Sequence, residues 1–483
     1  MVSKRFNSRV LQFISICIVI NLLCGELTSA KAATELNQFG ITWTFDRDCQ
    51  TGQFANGDYW VVGPVTIISI NPPSVSGSRE MNGSMINPSP TYGNTQGYDS
   101  AMYGSYDNDY SSSLNAALDV SSSNPLTLSA GNSLVSTISI SSAGNVPQLK
   151  SCAILTVLDS APPEGSFRPP YCNNSKTVKF NKSQLNHSLL GNLTPTASTP
   201  SLSSVERTFE RPWLDHVKTW HARFMHPAEN MPDYGTDISL EANDAALMLH
   251  LNYSDAQKET LLIRYVQLGI DLFGIAQDGG DVVWEPNGGH SSGRKWPIIF
   301  AGLMLDDFDM LNVSANGVGK PFFGEDGQTF YVSQSDVDSG KYSSSDLGLP
   351  EWGIVHAIYP PKDNPSWTAS YRQCCTATAW AGAALAAHIM DAKILWNHDS
   401  FFDYQDRYMA TEPSSGWRQR SDFAEEMWDT YRANYDPIWP DTTTPEEDTT
   451  APLPPTDLLC TDQTTSSITL NWSAPGPASD GDS

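Results

Sequence analysis

The chain has 483 residues, 40% of them hydrophobic and 14 of them tryptophan, so it can bury the cores of more than one domain at ~100–200 residues each. A formal charge of −26 leaves no basic stripe for a phosphate backbone and argues against nucleic acid as a partner. The same charge would repel an anionic polymer unless cations cluster locally.

At the N-terminus, Lys4, Arg5 and Arg9 precede an apolar run from Val10 to Cys24, and Ala30-Lys31-Ala32 offers a small-x-small cleavage site. This three-part pattern predicts a secretory signal peptide over residues 1–32. The run carries Gln12, Ser15 and Asn21 and falls short of the ~20 apolar residues a span needs, and no later segment is apolar enough to cross a bilayer. A secreted or cell-surface protein meets an oxidising compartment, where the six cysteines beyond the signal are expected to form disulfides. Cys152 and Cys172 flank a Pro-rich loop and make a plausible local bridge. The adjacent Cys374 and Cys375 read as small core residues or as a vicinal disulfide.

Residues 33–200 read as β. Ile41–Phe45, Tyr59–Val62, Val65–Ile70, Leu134–Ile140 and Ala153–Leu158 are rich in β-branched and aromatic residues, with Gly, Pro, Asn and Ser clusters between them. The expectation is a β-sandwich-like domain. Residues 201–439 change period. Asp237–His250 and a helix after the capping box Ser254–Gln257 follow helical spacing, the latter with a Leu261, Tyr265, Leu268, Leu272 stripe. Pro297 suits the first turn of a helix running to about Leu311. Thr368–Leu395, apolar on nearly all sides, is predicted as a long buried helix. Phe401–Met409 and Phe423–Tyr435 complete the set, and Gly317–Asp363 reads as an irregular insert that could contain β structure. Helices joined by short loops pair antiparallel, which predicts a mainly α-helical domain of (α/α) hairpins, an incomplete toroid at most. The fold class is therefore multidomain α+β. Residues 440–455 form an acidic Pro/Thr linker. In 456–483, Ile468, Leu470 and Trp472 alternate as a sandwich strand requires.

Two runs could carry chemistry. Trp284-Glu-Pro-Asn-Gly-Gly-His-Ser-Ser-Gly-Arg-Lys-Trp296 gathers Asn287, His290 and Arg294 in a Gly-rich loop between helices, the kind of segment that carries function, although a solvated turn would look the same. Trp367-Thr-Ala-Ser-Tyr-Arg-Gln-Cys-Cys375 places Tyr371 and Arg372 near the positive end of a predicted helix, which favours an anion. Breaking a uronate chain by β-elimination needs the carboxylate neutralised, a base and an acid. Asn287 and Arg294 suit the first task, His290 or Tyr371 the second and Tyr371 the third. Arg372, Trp284 and Trp367 would complete substrate binding. This chemistry calls for no cofactor, and no zinc-ligand spacing occurs.

These two motifs and the helical region resemble the (α/α)-toroid polysaccharide lyases that act on alginate, glucuronan and glycosaminoglycans, which use such an Asn/His/Tyr/Arg set, often beside a β-sandwich. The resemblance implies a secreted lyase with an anionic polysaccharide as partner. The sandwich here precedes the helices, whereas many of those enzymes place it after them. The stretch from Pro454 to Ser473 resembles the first two strands of a fibronectin type III module and stops before such a module could close its core.

Two other readings remain. Asp237, Glu241 and Asp244 share one helical face, and Asp306, Asp307 and Asp309 crowd the end of the next helix but one; paired carboxylates suit a glycoside hydrolase, though an acidic chain also produces solvated acidic faces. A non-enzymatic glycan binder or adhesin would account for the tail and the tryptophans. His250 and His388 are expected in the core, while His216, His221 and His226 lack a metal-binding spacing.

Overall fold

The computed structural model describes residues 31–103, 109–142, 147–232, 235–279, 284, 286, 288–314, 323–353, 375–411, 421–440, 456–463 and 468–473. Eight strands come first: β1 Lys31–Gln38, β2 Ile41–Gln53, β3 Tyr59–Val62, β4 Val65–Asn71, β5 Ser84–Ile86, β6 Leu126–Leu128, β7 Asn132–Ser139 and β8 Leu149–Leu158. They form one sheet in the order β5-β7-β8-β3-β2-β4-β6, with β1 also on β2, and all pairs are antiparallel except β3 with β8.

This sheet curls around its own apolar filling, in place of the two facing sheets that alternation suggested. Alternation reports that a face is buried and is silent on what covers it. β2 buries Ile41, Trp43 and Phe45 on one side, and β8 is buried along almost its whole length. Ala153, Leu155 and Val157 point into the filling of the curl, whereas Cys152 and Ile154 belong to the core shared with the helices. β8 is therefore the wall between two cores.

Among the described residues ten helices follow: α1 Leu202–Thr208, α2 Gly235–Leu249, α3 Asp255–Gly279, α4 Lys295–Leu305, α5 Phe308–Leu311, α6 Gln334–Asp338, α7 Ala381–Ile389, α8 Lys393–Trp396, α9 Asp399–Thr411 and α10 Asp422–Tyr431. The predicted box opens α3, with Gln257 Oε1 accepting from the Ser254 N–H at 3.0 Å, and the stripe Leu261, Tyr265, Leu268, Leu272 is buried. α3 packs on α4, and α2 on α7 and α10. Inside the 317–363 insert, β9 Thr329–Tyr331 pairs with β10 Pro350–Trp352. The helix expected over Thr368–Leu395 is broken in its described part, from Cys375 on: a 3-10 turn at Ala377–Ala379 is followed by α7 and α8, divided where Asp391 turns to φ 52°. α7 is indeed buried on nearly every side.

Sheet and helices share one core and one compact unit ending at Asp436. A buried charge cluster ties them. The Arg168 guanidinium meets Asp58 on the sheet side at 2.6 Å and Asp271 of α3 at 2.5 and 2.9 Å, while Gln267 brackets the Arg168 backbone with two 3.0 Å hydrogen bonds. Cys152 and Cys172 are free, buried thiols, which corrects the expected bridge: both serve the shared core as small apolar side chains, and Cys152 Sγ donates to the Pro212 carbonyl. Cys49 is also free, whereas Cys375 is disulfide-bonded. A second unit, from Pro437, contains the antiparallel hairpin β11 Thr456–Gln463 and β12 Ile468–Ser473. Among the described residues no helix is long and apolar enough to cross a membrane.

Candidate functional site

The Gly-rich run lies between α3 and α4 and is held from every side. Arg294 enters the interior and forms a two-pronged pair with Asp215, at 2.7 and 3.0 Å, and donates to the Ser292 carbonyl at 2.6 Å. Its neighbour Lys295 pairs with Asp326, donates to the Trp396 carbonyl at 2.6 Å and lies over the Trp396 ring. Trp380 Nε1 donates to Ser292 Oγ at 2.9 Å, and Gln328 Nε2 bridges the carbonyls of Gly288 and Gly324 at 3.0 and 2.9 Å. The start of α2 comes so close that a β-carbon on Gly235 would stand 2.3 Å from His290 Cα, which only glycine permits. α2 also clamps the segment around Cys375: Thr236 Oγ1 donates to the Cys375 carbonyl at 2.6 Å, and Ser239 Oγ and Asn243 Nδ2 donate to the Ala379 carbonyl.

From Gly288 to Phe300 every side chain is buried except His290, which is partly exposed. Two consecutive buried cations with separate carboxylate partners leave the loop little freedom, since breaking a buried pair costs ~3–5 kcal/mol. A histidine presented from such a frame is preorganised for proton transfer.

The charges beneath the loop are strongly perturbed. Burial alone would raise the Asp215 carboxyl, but Arg294 and His226 hold it well below the usual carboxylate range. Burial, reinforced by Asp326, pushes Glu325 up to about 7, and one of its oxygens accepts from the Gly293 N–H at 3.4 Å. Glu325 is thus partly protonated at neutral pH, directly behind the loop.

Of the residues expected to act on substrate, His290, Arg294 and Trp284 are described, whereas Asn287, Trp367, Tyr371 and Arg372 lie outside the described residues, as does Cys374 of the expected adjacent cysteine pair. Trp284 is 2% exposed and stacked on Phe323, and Arg294 is 1% exposed with its charge already matched by Asp215. Both side chains support the loop from within. Sequence reasoning overlooked Asp215, Glu325 and Asp326. Asp215, a lone acid in the aromatic run Pro212-Trp-Leu-Asp-His-Val217, was the available signal, because a carboxylate in apolar company implies a buried cation.

The acidic groups also resolve. Asp307 caps the start of α5, accepting from the Met310 N–H, and pairs with Lys179, because α4 ends at Leu305 with Asp306 in a left-handed turn. The crowding expected at a helix C-terminus is therefore a favourable N-terminal placement. On α2, Glu241 accepts from Thr208 and Asp244 takes the Ser421 hydroxyl on both oxygens, at 2.8 and 3.0 Å, clasping α10. His250 and His388 are core residues, as expected, and His216, His221 and His226 are buried too.

Burial pushes Asp244 up to about 7. A carboxyl whose pKa is raised by folding stabilises the native state fully below its unfolded value, and that contribution is lost as pH climbs through the folded value. Burial lowers His216 and His250 to about 3 and His388 to about 4, which opposes this trend by weakening the fold as pH drops below ~6.5. In the wild type these slopes oppose each other between pH 4 and ~6.5, three histidines against one carboxyl. Asp244→Asn is expected to isolate one of them: its unfolding free energy matches the wild type near pH 4.5 and exceeds it at pH 8 by roughly 1–2 kcal/mol once solvent screening of this partly buried group is allowed for. A constant difference across that range would show that Asp244 titrates normally.

Architecture and site together define an α+β protein that offers one histidine from a locked glycine-serine loop. No family model matches the chain, and neither the curated proteins nor the solved structures contain a match.

Proposed function

We propose that the chain is an exported carbohydrate-active enzyme, a polysaccharide lyase that cleaves a uronic-acid-containing glycan by β-elimination. The observation that carries this reading is His290, the one partly exposed side chain between Gly288 and Phe300, on a loop fixed by two buried ion pairs. In the proposed reaction His290 removes the proton next to the uronate carboxylate. The electrons of that C–H bond form a C=C double bond, the adjacent C–O bond breaks, and Tyr371 delivers a proton to the leaving oxygen. Because Asp215 holds Arg294, the carboxylate would be neutralised by Asn287 and Arg372. Residues 1–32 act as the export signal, the helices as an incomplete (α/α) toroid, and the β11–β12 hairpin as the opening of a fibronectin type III module.

A glycoside hydrolase would need paired carboxylates facing a substrate. Two of the three α2 acids that could supply them, Glu241 and Asp244, are engaged with Thr208 and Ser421, which favours the lyase. The mature protein should be incubated with alginate, glucuronan, chondroitin and neutral glycans. A lyase releases an unsaturated product absorbing at the far-ultraviolet edge. New reducing ends without that absorbance would replace the lyase with a hydrolase, and no product from any glycan would leave a binding protein.

A further inference from the structure

A second concavity, to which the loop contributes no lining residue, lies between the connector 167–180 and helices α3 and α5 and holds about 170 Å³. A cavity of ~150 Å³ takes a single benzene-sized ring, so this one has room for one six-membered ring. Its wall is aromatic: Phe167 is buried, while Phe180 and Phe273 are partly exposed to the space. Its rim carries neutral hydrogen-bonding groups. The hydroxyls of Ser175 and Thr177 and the amides of Asn173 and Gln277 line it, and Ser175 and Gln277 stand exposed.

The rim is built in advance. Lys176 is 7% exposed, and its ammonium donates to the carbonyls of Pro170, Tyr171, Cys172 and Asn173 at 2.8, 3.2, 2.9 and 2.6 Å, which fixes the connector around it. α3 comes against that connector at Gly274, where a β-carbon would be 2.2 Å from Pro170. The cation at the mouth is already engaged by two carboxylates: Lys179 pairs with Asp307 at 2.5 Å and stands 3.9 Å from Asp309. An anionic ligand gains nothing there. Aromatic wall, neutral polar rim and a lysine already engaged by carboxylates together describe the complement of an uncharged sugar ring, which has an apolar C–H face and an edge of hydroxyls.

We infer that this pocket binds one neutral pyranose unit, separately from the His290 loop and whatever reaction that loop performs. The test is saturation-transfer NMR on the full chain with methyl β-glucopyranoside, glucuronate and cyclohexanemethanol. The glucoside is expected to bind saturably in the millimolar range and more tightly than the other two. Phe273→Ala and Gln277→Ala should each weaken it at least ~fivefold. Gln277 is exposed, so its variant keeps the fold even if loss of Phe273 does not. Absence of saturable binding, tighter binding of glucuronate or of the apolar ring, or an unchanged affinity in Gln277→Ala would each overturn the inference.

Discussion

Replacing His290 by alanine is expected to lower turnover of a uronate-containing glycan by ~10²–10⁴-fold, the usual worth of a positioned general base. Melting temperature should barely move, because the imidazole is partly exposed and the loop is held by Arg294, Lys295 and Trp380 instead. Tyr371→Phe should cause a comparable loss if its phenol protonates the leaving oxygen. Initial rates from the growth of far-ultraviolet absorbance, set beside circular dichroism of each variant, provide the check. Full activity in His290→Ala would remove the histidine from the chemistry. Lost activity together with lost fold would recast the loop as a structural plug.

The largest expected effect on stability is at Arg168. Truncation to alanine leaves Asp58 and Asp271 facing each other, both buried, at the seam between sheet and helices. Removing one partner of a buried ion pair costs ~3–5 kcal/mol. Here two carboxylates lose one cation, so the upper part of that range is expected. Thermal unfolding should shift sharply downward for Arg168→Ala. The triple change Arg168→Met, Asp58→Asn, Asp271→Asn should recover much of the loss, since its polar groups carry no net charge. If Arg168→Ala alone melted like the wild type, water would have to reach this seam.

Legibility differed between kinds of element. The Ser254–Gln257 box and the stripe of α3 are short-range signals, written by residues three and four apart, and both are where the spacing puts them. The burial of His250 and His388 followed from apolar neighbours on the same helices. The division of the expected long helix at Asp391 was hidden, because no glycine or proline marks it and the left-handed residue is an aspartate. The loop was visible as a Gly-rich run with His290 at its centre, but the roles within it were not. Arg294 and Trp284 look like ligand-binding side chains by type, yet both turn inward to partners 79 and 39 positions away along the chain, Asp215 and Phe323.

By itself the chain's order of residues marked most of the longer strands and helices and the loop that would concentrate unusual side chains, because periodicity, capping and glycine act over a few neighbouring positions. The tertiary structure decided the rest: a curled sheet where alternation suggested a sandwich, free thiols in place of a bridge, and Asp215 and Glu325 behind the loop. Those outcomes turn on which distant groups share a low-dielectric interior, where a charge must find its opposite or give up its ionisation.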